Sequence, residues 1–330
     1  ASDVYKRQRE TSTYLELPGT FGNPNVAGHG LILALIVAVY LASLRGTRWC
    51  AILIPLFAAH LYLTNFRAGL LALGGGAVVA GLAAAFARSR LTPVWAARAT
   101  VAVALAIAIG GAALLVGYVN ASSGRRMIDD SILLRFNAYY GAADMITDRP
   151  VLGYGLGRYA AESPPYWTDF EQRWLAEKHL MNEHVHSDVL ETWVETGVAG
   201  AFAYVLLLLA GVYGSARRAA QTADGDRRFA LALTAFFAAF AADGLFGFNA
   251  RVPVTAAMLF LVAGIAEGVY RNASDRFAVR TPVRIAAAVL CIVLFASAAV
   301  GARDFLARVS LQAARNAIAF DALAAADQLS

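Results

Sequence analysis

The chain carries eight apolar stretches, each of roughly 16 to 22 residues, and a bilayer core about 30 Å thick requires a helix of about that length to cross it. They run approximately over 26–44, 49–64, 68–87, 99–119, 197–216, 229–248, 252–270 and 283–302. The second is the weakest, being short and carrying Pro55 and His60. None alternates polar and apolar residues with a period of two, so a membrane barrel is disfavoured and a helical bundle follows. With 59% hydrophobic and 15% charged residues and a mean hydropathy of +0.55, the composition lies outside the range of an ordinary soluble domain. The expectation is an all-α polytopic membrane protein of about eight transmembrane helices with one long loop.

Arginine orients the bundle, because Lys and Arg collect in the short cytoplasmic loops of membrane proteins. Arg45 and Arg48 form one set, Arg88, Arg90 and Arg98 a second, Arg217, Arg218, Arg227 and Arg228 a third, and Arg271, Arg276, Arg280 and Arg284 a fourth. The intervening short connections hold only Arg67 and Arg251. The organisation expected is an outward-facing N-terminal segment (1–25), four spans (26–119), an outer loop (120–196), four more spans (197–302) and an outward tail (303–330). In a bacterium this is an inner-membrane protein whose loop faces the periplasm.

Cys50 and Cys291 both fall within apolar stretches, which supports neither a disulfide framework nor a thiolate zinc site. The net charge of +5 is mostly this inside-positive bias, and no nucleic-acid surface is read from it. The opening "ASDVYKRQRE" is too polar for a signal peptide or a span. Its first eight or so residues are expected to be foreign to the protein, with further helices upstream. The Ala-rich tail is helix-forming and is compatible with the first unit of a repeat array, which one unit does not establish.

The loop of roughly 77 residues is far longer than an ordinary connection, and such loops usually carry function. Apolar residues at helical spacing from Ile132 to Ile146 predict a helix against the bundle, with Arg135 in its first turns. "GYGLG" (153–157) resembles a phosphate-binding glycine loop only superficially, since no strand precedes it. The stretch "NEHVHSDVLETWVETGVAG" (182–200) sets two histidines and four acids against an apolar run. If 188–195 is helical, His184, Asp188, Glu191 and Glu195 share one stripe, and His186, Val189, Leu190 and Trp193 another. The two histidines would then face different neighbours. His184 reads as a cap or surface pair, and His186, read from the residues alone, as either a buried structural histidine or a base.

Four segments, "GTFGNPNVAGHG", "NFRAGLLAL", "RFNAYYGAADMITDRPVLGYGLGRY" and "HVHSDVLETWVETGVAG", occur in the order found in the O-antigen ligase and polymerase family of bacterial membrane glycosyltransferases, and the chain resembles that family over about residues 19–269. The resemblance implies transfer of a glycan from undecaprenyl diphosphate to a hydroxyl of an acceptor glycan, of a lipid A-core sugar or of a protein. It implies that His186, Arg67 and Arg135 are the catalytic residues. Two departures are "NFR" where "SR" is commoner, and His184 as a second histidine.

The chemistry agrees with those residue types. A sugar hydroxyl attacking an anomeric carbon needs a proton acceptor, and an imidazole with a pKa near 6.5 serves at neutral pH. The leaving diphosphate needs its charge neutralised, and arginine binds phosphate oxygens in pairs and stays charged. Asp129 and Asp130, the only adjacent acidic pair, read as a solvated turn rather than a metal site, so no metal and no cofactor are expected. His184, Arg251 and Asp243 are secondary candidates for substrate binding. Arg67 has a bland alternative as an arginine that snorkels to the interface. The alternative for Arg135 is pairing with an acid such as Asp144, and for Asp243, an acid inside a span, pairing with an arginine. Arg67, Arg135, His186 and Arg251 come from four outward segments, and they are expected to meet in a membrane-level cleft under a segment hinged at Gly197 and Gly200. A transporter for an anionic or lipid-linked substrate is the rival reading, and it requires charged or broken-helix groups near mid-membrane.

Single cysteines near Arg67, Asp169 and Arg251 are expected to react with a membrane-impermeant thiol reagent added from the periplasm, and cysteines near Ser89 or Asp224 are not. Reversed labelling would overturn the orientation.

Overall fold

The computed structural model describes residues 24–64, 66–122, 130–178, 181–222 and 224–270. The N-terminal segment, Asp129, the stretch at 283–302 and the tail lie outside them. Ten α-helices are described: α1 (Pro24–Ser43), α2 (Leu53–Leu63), α3 (Arg67–Ala87), α4 (Pro93–Ser122), α5 (Asp130–Asp148), α6 (Tyr159–Glu162), α7 (Asp169–Lys178), α8 (Asp188–Gln221), α9 (Asp224–Phe246) and α10 (Pro253–Tyr270). Short 3₁₀ segments precede α2 (Arg45–Ile52) and α10 (Asn249–Arg251). No strand occurs among the described residues. This is an all-α polytopic membrane protein.

Among the described residues, six helical segments are long and apolar enough to cross a bilayer: Asn25–Ser43, Arg45–Leu63, Arg67–Ala87, Pro93–Ala113, Asp188–Gln221 and Asp226–Phe246. The seventh apolar stretch is a shorter helix, Pro253–Gly268. The helix predicted from Ile132 to Ile146 is α5. The fifth span starts nine residues earlier than its apolar run, at Asp188, because the polar residues of its first turns are paired within the protein.

The bundle is organised around α9, which packs along α3 and α8 and also meets α1. Ile32, Leu61, Phe66, Leu208, Phe236, Phe237 and Phe240 are buried together at this junction. Close helix approach in a membrane favours small residues. Gly76 of α3 shows it, since a Cβ there would stand 2.7 Å from the carbonyl oxygen of Ala235 in α9. At one end of the bundle Arg228 donates to the carbonyl of Ser43, tying α9 to α1. Ala83, Ala97 and Ala216 close the same region between α3, α4 and α8.

At the opposite end, the outer segment folds onto α8 through a second small core of Ala142, Met145, Tyr159, Val185 and Val194. Gly197 breaks α8 with φ +70° and ψ −173°. In an unbroken helix the Val198 N–H would bond the Val194 carbonyl. Here Val198 donates to Pro150 O at 3.0 Å, while Val194 and Glu195 accept from Tyr154 N and Gly155 N, each at 2.8 Å. The Trp193 indole also donates to Pro150 O, at 3.2 Å. The "GYGLG" segment, with left-handed Gly153, Gly155 and Gly157, is thus a latch that satisfies the backbone groups opened by the break.

A side chain at Gly197 would collide with the Val151 carbonyl and would also face the left-handed backbone. Gly197→Ala is expected to destabilise the detergent-solubilised protein by about 2 kcal/mol or more in thermal unfolding. Gly214→Ala, in the same helix with open space around it, should change stability by no more than about 1 kcal/mol. Equal effects would contradict the latch.

Candidate active site

The acidic stripe expected on α8 is present, and it is buried. Asp188, Glu191 and Glu195 have 0%, 2% and 2% of their surface exposed, so each charge must be answered inside the protein. Asp188 accepts the Ala250 N–H at 3.0 Å and the Tyr204 hydroxyl at 3.3 Å. Glu191 accepts the Val185 N–H and the His184 ring N–H, both at 3.0 Å. Glu195 accepts the Tyr159 N–H at 3.4 Å. Arg251 then closes the stripe, reaching Glu195 at 2.7 Å, Glu191 at 3.4 Å and the Thr192 hydroxyl at 3.2 Å. Arg251 is therefore drawn into the protein as a brace between α8 and the turn before α10.

Phe248, in the turn after α9, is the hub on which three histidines meet. The His184 ring stacks on it at 4.4 Å between centroids, and His186 and His29 approach edge-on at 5.3 and 5.4 Å. The expectation that His184 and His186 face different neighbours is corrected here. Because α8 begins only at Asp188, neither histidine is helical, and both turn onto the same ring.

His29 was not singled out by sequence, although it sits in the quoted "VAGHG" segment of α1. Its Nδ1 lies 2.5 Å from Asp243 Oδ2, with both side chains almost fully buried. Asn249 donates to the same carboxylate oxygen at 3.3 Å. The partner of the intramembrane acid is thus a histidine and not an arginine. A histidine within an apolar run and an acid within another span are the signal that pairs them, since neither is stable alone in a bilayer.

His186 has the one left-handed non-glycine backbone among the described residues, with φ +60°. That conformation costs a side-chain-bearing residue free energy and tends to cluster at functional sites. Tyr139 of α5 helps hold it, its hydroxyl lying 3.0 Å from the His186 carbonyl and 3.2 Å from that of Leu245. Burial pushes the Tyr139 phenol up to about 12, so it remains a neutral donor. Burial first, then the positive charge of Arg135, pushes the His186 imidazole down from its usual 6.5 to about 3. The ring is neutral at physiological pH, and Arg135 lies within electrostatic reach of it.

Of the four residues expected to converge, His186 and Arg251 lie around Phe248 and the first turns of α8, together with His184 and Asp243, and Arg135 of α5 is within electrostatic reach of His186. Arg67 is the exposed first residue of α3. It directly follows Phe66, whose ring packs edge-on against His29 at 4.7 Å. Asp130 lies exposed in the first turn of α5, as a solvated acid should.

A neutral histidine, arginines and buried acids thus gather where the outer segment joins α8 of a multi-pass helical bundle. Residues 50–205 match the family model described as O-Antigen ligase. Over that segment, just under half of its length, the chain is similar to the O-antigen ligase family. No curated protein matches the chain. The matched span contains Arg67, Arg135, His184 and His186, and it ends before Asp243 and Arg251.

Breaking the His29–Asp243 pair leaves a polar group stranded among apolar neighbours. His29→Leu and Asp243→Leu are each expected to cost about 3–5 kcal/mol in detergent unfolding, and the double variant less than their sum. Strict additivity would show that the two side chains act independently.

Proposed function

We propose that the protein transfers a glycan from undecaprenyl diphosphate to an acceptor hydroxyl on the outward side of the inner membrane. In this reaction the acceptor oxygen bonds to the anomeric carbon, the bond from that carbon to the diphosphate breaks, and the hydroxyl proton passes to the imidazole of His186. Arg67 and Arg135 neutralise the diphosphate as it leaves, without a divalent ion. The observation that carries this reading is His186 itself, a histidine held in a costly backbone conformation, neutral, beside an arginine.

Three further features support the reading. An apolar groove of about 620 Å³ runs between α3, α4, α8 and α9, lined by residues such as Leu70, Val78, Leu105 and Leu209. At its rim stand Val189, three residues beyond His186, and Leu245, whose carbonyl meets Tyr139. A polyprenyl tail in that groove would bring its diphosphate to the level of His186. Arg67 begins α3, and the positive end of the helix dipole there also favours an anion. The free imidazole is a weak proton acceptor, first because it is buried and then because Arg135 opposes its protonation. A bound diphosphate between them offsets that charge and raises the imidazole pKa as the donor arrives, so the base gains strength when it is needed.

His186→Gly and His186→Asn both tolerate a left-handed backbone. They are expected to keep normal membrane levels and thermal stability while losing about 10²- to 10⁴-fold in turnover by the purified, complete protein. Near-normal turnover would return His186 to a structural role. The neutral imidazole is the active form, so the acid limb of kcat/KM should lie below pH 6.5. Removing the Arg135 charge with Arg135→Gln should move that limb to higher pH in the residual activity. An unmoved limb would separate Arg135 from His186.

A further inference from the structure

The tip of the glycine latch is a rigid segment that nonetheless exposes apolar side chains. Leu152 and Leu156 have 83% and 75% of their surface exposed and Val151 has 62%. The tip is not a free loop, since four hydrogen bonds hold residues 150–155 to α8 on both sides of the Gly197 break. A chain segment fixed this firmly keeps its leucines outward only where something apolar receives them.

The position of the tip says what that is. Pro150 bonds the N–H of Val198, so the tip stands beside the first turn of the apolar part of α8. From Val198 the exposed residues Phe202 and Leu206 follow at intervals of four, on one face of the helix. Val198, Phe202 and Leu206 lie outside the set that lines the groove between α3, α4, α8 and α9, and form a separate exposed apolar stripe of the kind a span turns to lipid. Val151, Leu152 and Leu156 prolong it at its outer end. Two exposed arginines bracket the tip, as basic residues do at a membrane interface. Arg149 lies over the Tyr154 ring at 4.5 Å, and Arg158 bonds Glu162 at 2.6 Å.

We propose that Val151, Leu152 and Leu156 are embedded in the bilayer leaflet on the side of the outer segment, making the glycine latch a membrane anchor, with Arg149 and Arg158 at the level of the phospholipid phosphates. The anchor fixes the depth of the helical turns that carry Asp188, Glu191 and Glu195, because the same latch bonds the carbonyls of Val194 and Glu195. Lipid contact at the tip and the placement of the titratable cluster are thereby mechanically joined.

Spin labels on single cysteines test this in the full chain, with Cys50 and Cys291 replaced by alanine and the protein in nanodiscs of phosphatidylethanolamine and phosphatidylglycerol. Labels at L152C and, independently, L156C are expected to collide with dissolved oxygen in preference to a water-soluble nickel chelate, as a label at F202C should. A label at D169C, on exposed α7, supplies the aqueous reference. Preference for the chelate at both tip positions would overturn the anchor. So would shielding from both relaxants, which would mean that another protein surface covers the tip.

Discussion

Backbone hydrogen bonding at the Gly197 break is the constraint on which the outer half of the molecule depends. Near the membrane core an unpaired N–H or carbonyl costs several kcal/mol, so a helix interrupts there only if another segment takes up the freed groups. The latch from Pro150 to Gly155 does so. Its attachment lets the first turns of α8 take their own direction above the span. Those turns carry Asp188, Glu191 and Glu195, which reach Ala250, His184, Tyr159 and Arg251. Without the break, the stripe would run on along the axis of the span.

Electrostatics then divides the arginines by role. Arg251 has two buried carboxylates within 3.4 Å and is held as a brace. Arg135 acts on His186 across the cluster and adds to the burial that lowers its imidazole pKa. Arg67 stands exposed at a helix start. The buried His29–Asp243 pair fixes Phe248 from below, and Phe248 seats both loop histidines.

Much of this was legible in the sequence because it rests on local periodicity. The helix carrying Arg135 and the acidic stripe at 188, 191 and 195 follow from spacing; of the two glycines expected to hinge the segment, Gly197 breaks α8 whereas Gly200 lies within the helix. Phe248 was not legible, since a phenylalanine at the end of an apolar run carries no mark of the three rings it will meet. The shared seat of His184 and His186 is not legible from helical spacing, because the helix starts only at Asp188 and a left-handed residue at 186 redirects the chain before it. The glycine latch escaped because its partners, the carbonyls of Val194 and Glu195, exist as open acceptors only once the helix has broken. His29 was within reach, since an imidazole inside one span and a carboxylate inside another are each other's simplest remedy.

The central claim is that donor, base and arginines meet at one membrane-level site, and electron cryo-microscopy of the complete protein with a bound undecaprenyl-diphosphate glycan tests it most directly. The account predicts the diphosphate within hydrogen-bond reach of Arg67 and Arg135, the polyprenyl tail between α3, α4, α8 and α9, and the His186 ring facing the anomeric carbon. A diphosphate seated on Arg251, or a donor bound with His186 turned away from the sugar, would contradict it.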